Sequence, residues 1–262
     1  MINLAKIPDA EILSEQFIPD HVFVYLAKGT INCYDAHKTY TFKAGEYFIA
    51  QKNRLARYKI KNDKAGFEPV MFCFDEAFLR DFQQKHQVFT TQAKSSDTFL
   101  KIKNVSFISS FISSLIPYQD GPGKLNAAFE DLKYEELLLI LLQAEPTLGG
   151  ILFDFAMPEK IDLQKFMQGN FTFNVSIARF AFLTGRSLSA FKRDFRTVFN
   201  DTPNRWLVKK RLEEAHFLIS KKGKTSSEIY LDLGFEDLSH FSFAFKKLFG
   251  FRPTTLGKDT NR

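Results

Sequence analysis

Lys192, Arg193 and Arg196 follow one another at spacings of one and three residues, and Ser189 precedes Lys192 by three. On a helix these four side chains share one flank. Ammonium and guanidinium groups in such an array make charge-assisted contacts to phosphate oxygens, and a guanidinium can also donate two parallel hydrogen bonds to O6 and N7 of a guanine. Fifty residues on, the matching places hold Ser239, Ser242, Phe243 and Lys246, with Leu238 and His240 beside them near the start of the segment. That second set offers weaker hydrogen bonds, apolar contact to a thymine methyl and a single phosphate-directed charge.

The elements that carry these residues are themselves repeated. Phe191, Phe195, Phe199 and Pro203 each stand fifty residues before Phe241, Phe245, Phe249 and Pro253. Spacing by four stacks the rings along one face of a helix about three turns long. Ser187 and Asp237 fall at the two N-caps, while Asn200 and Gly250 fall where a left-handed residue ends a helix. Gly185 and Gly234 close the preceding helices, and the second turn is one residue longer. A helix-turn-helix needs this plan, with one apolar face to hold its second helix and another free for bases and phosphates. The holding face of the first unit is expected to be Phe191, Phe195, Val198 and Phe199. Thr225 and Glu228 form a capping box that opens a helix over 226–233. The helix joining the units, about 203–220, spans about 27 Å, which suits two recognition helices entering major grooves about 34 Å apart. Two helical hairpins with merely solvated faces would lack the agreement of repeat, caps and charge.

That charge is unevenly placed. The chain of 262 residues has a net charge of +6, and residues 158–262 hold 19 Lys and Arg against 11 Asp and Glu, while residues 1–157 hold 17 against 19. The basic surplus coincides with the repeat and points to a polyanion. With 45% apolar and 25% charged residues the composition is globular, and the length suits two domains. The first ten residues lack the plan of a signal peptide, and the apolar run 137–142 is too short to span a bilayer. A cytoplasmic protein without membrane attachment is expected. Cys33 and Cys73 are read as two buried, reduced thiols.

Residues 15–74 read as short strands rich in β-branched and aromatic residues, suggesting a barrel or sandwich. Helices follow from about 75 to 144. The last two, at about 98–116 and 125–144, form an antiparallel pair broken at 119–123, which suits dimerisation and packing on its own domain equally. Residues 145–160 read as a connector.

The sequence also resembles the AraC/XylS family of bacterial transcription regulators. The motifs that carry the resemblance are "FAFLTGRS" with Ala181, Gly185 and Ser187, then "TPNRWLVKKRLEEAHFLI", then "GFEDLSHFSFAFKKLFGFRP". Tyr230, Ser226 and Phe243 depart from the family pattern, Phe243 standing where arginine is usual. The front half, around "VFVYLAKGTINCYDAHKTYTFKAGEYFIA", resembles the family's cupin-like sensor.

The expected fold is therefore a two-domain α+β protein. Residues 1–146 would form a cupin-like β-barrel with a helical dimerisation region, and residues 158–262 an all-α domain with two helix-turn-helix motifs joined by a helix. The resemblance implies a sequence-specific regulator of double-stranded DNA, an activator contacting RNA polymerase, whose sensor takes a small molecule or a regulatory protein, and the apolar stripes of the helical pair add the expectation of a homodimer. The DNA-binding residues are expected to be Ser187, Ser189, Ala190, Lys192, Arg193 and Arg196 in the first unit. In the second they are Leu238, Ser239, His240, Ser242, Phe243 and Lys246. The alternative is a cupin-type enzyme with an accessory DNA-binding tail. Enzymatic cupins hold a metal through an H-x-H pair, and His21 and His37 stand 16 apart. No metal, cofactor or catalytic residue is therefore expected.

Overall fold

The computed structural model describes residues 16–61, 66–88, 95–103, 106–121 and 124–256. The first ten residues, read above for a leader, and residues 122–123 of the break at 119–123 lie outside that set. The chain divides into two compact units, Met1–Ala156 and Met157–Arg262.

The first unit opens with strands β1 (Phe17–Ile18), β2 (His21–Lys28), β3 (Thr30–Tyr34), β4 (Thr39–Lys43), β5 (Tyr47–Ala50), β6 (Arg54–Leu55), β7 (Arg57–Lys61) and β8 (Glu68–Phe74). Helix α1 (Glu76–His86) follows, then β9 (Phe99–Lys101), α2 (Ser106–Ser114), a short hairpin of β10 (Gln119–Gly121) and β11 (Lys124–Leu125), α3 (Ala127–Ala144) and α4 (Gly149–Leu152). Four strands form an antiparallel sheet in the order β8-β2-β5-β9, and three form another in the order β4-β3-β7. In the larger sheet Phe23 stands opposite Ile49 and Phe72, and Val24 opposite Phe48 and Met71. The pleat sends the two sets to opposite faces. Phe23, Ile49 and Phe72 pack with Leu79, Phe111 and Leu137 of the helices, whereas Val24 and Phe48 pack with Ile31 and Phe42 of the smaller sheet. Phe42 and Phe48 stack with ring centroids 3.9 Å apart. Burial on both faces explains why Tyr47–Ala50 is an unbroken apolar run and not an alternating one.

The expected barrel is thus replaced by open sheets. Among the described residues no ladder joins the larger sheet to the smaller. Closure is unnecessary because the helix layer covers the outer face of the larger sheet.

Three local expectations also change. Phe99–Lys101, placed above in a helix, is a strand, because its pairing with β5 sets Phe99 against Phe42 and Phe48. The helix of that segment begins at Ser106. The connector contributes to the core: Leu148, Leu152 and Phe153 are buried on the helix side, with Phe153 stacked on Phe82 at 6.1 Å, and Phe155 lies 4.1 Å from the Arg80 guanidinium. Cys33 is buried but Cys73 is exposed, because alternation along β8 turns Phe72 and Phe74 inward and Cys73 outward.

His21, the first residue of β2, is buried, and burial holds its imidazole at a pKa of about 3. His37 lies exposed in the turn after β3. Among the described residues, no group of three or more His, Cys, Asp or Glu side chains is arranged to hold a metal ion, and no helix is long and apolar enough to cross a membrane.

The second unit is helical: α5 (Leu163–Asn170), α6 (Ile177–Leu183), α7 (Leu188–Phe199), α8 (Pro203–Lys222), α9 (Ser226–Ile229), α10 (Leu238–Phe249) and α11 (Pro253–Leu256). The capping box of Thr225 and Glu228 is present, yet α9 is only four residues long where a helix over 226–233 was expected. Its extension unwinds into turns that lead to Gly234.

Candidate nucleic-acid interface

Each helix-turn-helix is set by a glycine at its turn. Gly185 has φ 64°, and a Cβ there would lie 2.4 Å from the carbonyl carbon of Glu159. Gly234 has φ 79°, and its Cβ would lie 2.7 Å from the carbonyl oxygen of Thr172 and 2.8 Å from the guanidinium carbon of Arg211. Left-handed backbone and close approach both demand glycine. Arg211 is buried and donates to three backbone carbonyls, those of Phe171 (2.7 Å), Phe173 (2.8 Å) and Gly234 (2.8 Å). It thereby ties α8 to the second turn. No sequence signal marks that role, because each partner is a carbonyl distant along the chain.

The recognition helices start and stop as the caps require. Ser187 Oγ accepts from the Ala190 amide at 3.3 Å, and Asp237 Oδ1 from the His240 amide at 2.6 Å. Asn200 and Gly250 end α7 and α10 in left-handed conformation, with φ of 52° and 85°. Phe191 and Phe195 are fully buried, as are Phe241 and Phe245. Helix α8 holds both from one rod: Trp206 packs on Phe199 at 4.6 Å, and His216 on Phe249 at 4.9 Å. The extra residue of the second turn makes room for Phe235, which is buried against Phe241 at 5.1 Å.

Val198 does not join the holding face. It is exposed, because the buried stripe of α7 runs through Phe191 and Phe195 and leaves residue 198 on its solvent side.

The outward residues are brought together on each helix as its period dictates. Ser187, Ser189, Lys192, Arg193 and Arg196 are exposed, and Ala190 is half-buried. On α10, Leu238, Ser239, His240 and Lys246 are exposed and Ser242 is half-buried. Phe243 does not pack on its own unit: at 70% exposure its ring is open to solvent. A phenylalanine so placed on a helix otherwise held by buried phenylalanines is free to meet a partner.

Asp194 adds a feature that the basic residues alone do not suggest. Its carboxylate accepts from Arg186 Nε at 3.2 Å and from Arg193 Nε and Nη2 at 3.3 and 3.2 Å. Those bonds, that of Arg186 foremost, hold it below the ordinary carboxylate pKa.

Against this geometry the comparisons with known proteins are direct. A model described as the ExsA N-terminal regulatory domain matches residues 21–148, and one described as a helix-turn-helix domain matches residues 180–259. The chain belongs to the AraC family. As a member it is a DNA-binding transcription regulator, and the enzyme alternative falls. It is 25% identical to the virulence regulon transcriptional activator VirF of Yersinia enterocolitica, over 87% of this chain and 86% of that one. It is 22% identical to the HTH-type transcriptional regulator ExsA of Pseudomonas aeruginosa, over 90% and 86%. The thermoregulatory protein LcrF of Yersinia pestis is 33% identical over 55% of this chain and 52% of its own.

Proposed function

We propose that this regulator is an activator that reads double-stranded DNA with two unequal helices. The observation that carries the reading is the pair of capped helices, each held by buried phenylalanines and each turning a different set of side chains outward. Arg193 and Arg196 read guanine edges, and Lys192 takes a phosphate. Ser187, Ser189 and Ala190 sit at the helix start, where recognition helices approach the groove. On α10, Ser239, His240 and Ser242 offer hydrogen bonds, Leu238 and Phe243 meet thymine methyls, and Lys246 takes a phosphate. The 20 residues of α8 rise about 30 Å, close to the 34 Å between major grooves on one face of DNA.

The first unit, read as residues 1–146 ahead of a DNA-binding domain at 158–262, acts as the sensor, cupin-like in lineage but built on open sheets. A groove of about 550 Å³ beside Tyr40, Phe42, Phe99, Lys101 and Thr147 supports a small-molecule effector, while the match to a regulatory domain leaves a regulatory protein as the other effector class. Phe107, Leu132 and Leu139 are exposed on α2 and α3, which supports a homodimer through that pair. Activation, the role of VirF, implies contact with RNA polymerase, and DNA as partner implies the cytoplasm.

Genome-wide mapping of bound sites tests the reading, with a recurrent sequence upstream of genes whose transcription falls when the protein is deleted as the expected result. Binding without a recurrent sequence would sink it. Sedimentation of the full chain at micromolar concentration should show a dimer that Leu132→Glu dissociates.

A further inference from the structure

Asp194 is the only acidic residue on α7, and it stands among Lys192, Arg193 and Arg196. A carboxylate among cationic residues directed at DNA weakens non-specific attraction to it, so its place there needs a compensating role.

The contacts supply one. On one side Oδ2 is anchored by Arg186 Nε at 3.2 Å. The Arg186 side chain is itself nearly buried and fixed by its Nη1, which donates to the carbonyls of Thr184 at 2.7 Å and Ile161 at 3.0 Å. Lys160 Nζ lies 3.7 Å from the same oxygen. On the other side Oδ1 accepts from Nε and Nη2 of Arg193, whose side chain is otherwise 76% exposed. A guanidinium has five N–H donors in a rigid plane. Asp194 engages one edge of that plane, which leaves the Nη1 and Nη2 protons at its far end as a free fork. A fork of that shape matches O6 and N7 of guanine.

We propose that Asp194 is a positioning residue that grips the Nε–Nη2 edge of Arg193 and presents its Nη1–Nη2 end to a guanine, with Arg186 of the turn as the anchor. The inference rests on Arg193 as a base reader. A long exposed side chain that would otherwise sample many rotamers is thereby ordered before DNA arrives, which favours the base that fits the fork over bases that do not. The second unit has no such relay: Glu236, Phe243 and Ala244 stand fifty residues after Arg186, Arg193 and Asp194.

The test uses the full chain and a duplex selected by it from a randomised pool, with binding measured to every single-base variant of that duplex. Arg193→Ala should flatten the preference at one base pair. Asp194→Asn should flatten the same base pair about five- to tenfold, leave the other positions as in wild type, and keep or raise binding to an unrelated duplex. The double variant should be no flatter than Arg193→Ala alone. Asp194→Glu, which retains the charge and the ion pairs but moves the carboxylate by one methylene, should give a partial loss at that base pair and guards against a folding defect in the asparagine variant. A wild-type preference in both Asp194 variants, or a loss spread evenly over all positions, would overturn the proposal. If Arg193→Ala flattens no position, the base-reading role itself fails, and the inference fails with it.

Discussion

In the first helix-turn-helix the outward residues of α7 are Lys192, Arg193 and Arg196, whereas fifty residues on α10 presents Ser242, Phe243 and Lys246. Behind them the two units are built alike, with paired buried phenylalanines, a hydroxyl or carboxylate N-cap and a left-handed C-cap. The turns are braced differently. Gly185 abuts the backbone of Glu159 and Lys160, while Gly234 abuts one carbonyl and the Arg211 guanidinium. A repeat can thus keep the packing that holds a helix while the side chains it presents diverge in kind, from charged forks to small hydroxyls and a bare ring. On the function proposed above, the two helices divide the work, the first discriminating bases and the second adding area and a charge.

The largest effect expected from this comparison concerns the turns. Gly185→Ala forces a left-handed alanine against backbone that cannot rotate away, costing about 3 kcal/mol or more. Gly234→Ala should cost less, since it meets one backbone atom at 2.7 Å where Gly185 meets three at 2.4–2.5 Å. Thermal melts of the two variants check the order, and the reverse order would break the account of how the turns are braced.

Next comes the reading face. Arg193→Ala should lose about 1–3 kcal/mol of specific binding, concentrated at one base pair. Phe243→Ala should lose less than about 1 kcal/mol of binding and, because its ring is exposed, change stability by no more than about 0.5 kcal/mol. Titrations on one duplex compare them directly, and an equal loss of specificity would remove the proposed asymmetry.

The smallest effect belongs to Lys246→Ala. It should weaken all sequences about equally and make the slope of log K against log salt shallower by about 0.9. A change confined to one base pair would instead make Lys246 a base reader.

Much of this second unit was legible in the sequence because caps, four-residue ring spacing and turn glycines are local signals. Ser187, Asp237, Asn200 and Gly250 occupy their cap positions for reasons contained within a few residues. Val198 was misplaced because a residue at the margin of an apolar stripe is buried or exposed by the neighbouring helix, which spacing does not reveal. The Arg211 and Arg186–Asp194 contacts were invisible for a related reason, since they join residues by tertiary approach. In the first unit the strands 21–50 announced themselves by β-branched runs and glycines. Phe99–Lys101 did not, being three residues long and defined by its pairing with β5. The open arrangement of the sheets also escaped the sequence, because short strands suit a barrel and a sandwich alike.

On the proposed function, discrimination resides mainly in the half of the site facing α7. Affinity for a selected duplex, with every base pair replaced in turn across both halves, measures it most directly. The larger losses, about 1–3 kcal/mol per replacement, are expected in the half facing Arg193 and Arg196, with a flatter profile opposite Leu238, Ser242 and Phe243. A profile in which the half facing α10 is the more stringent would contradict it.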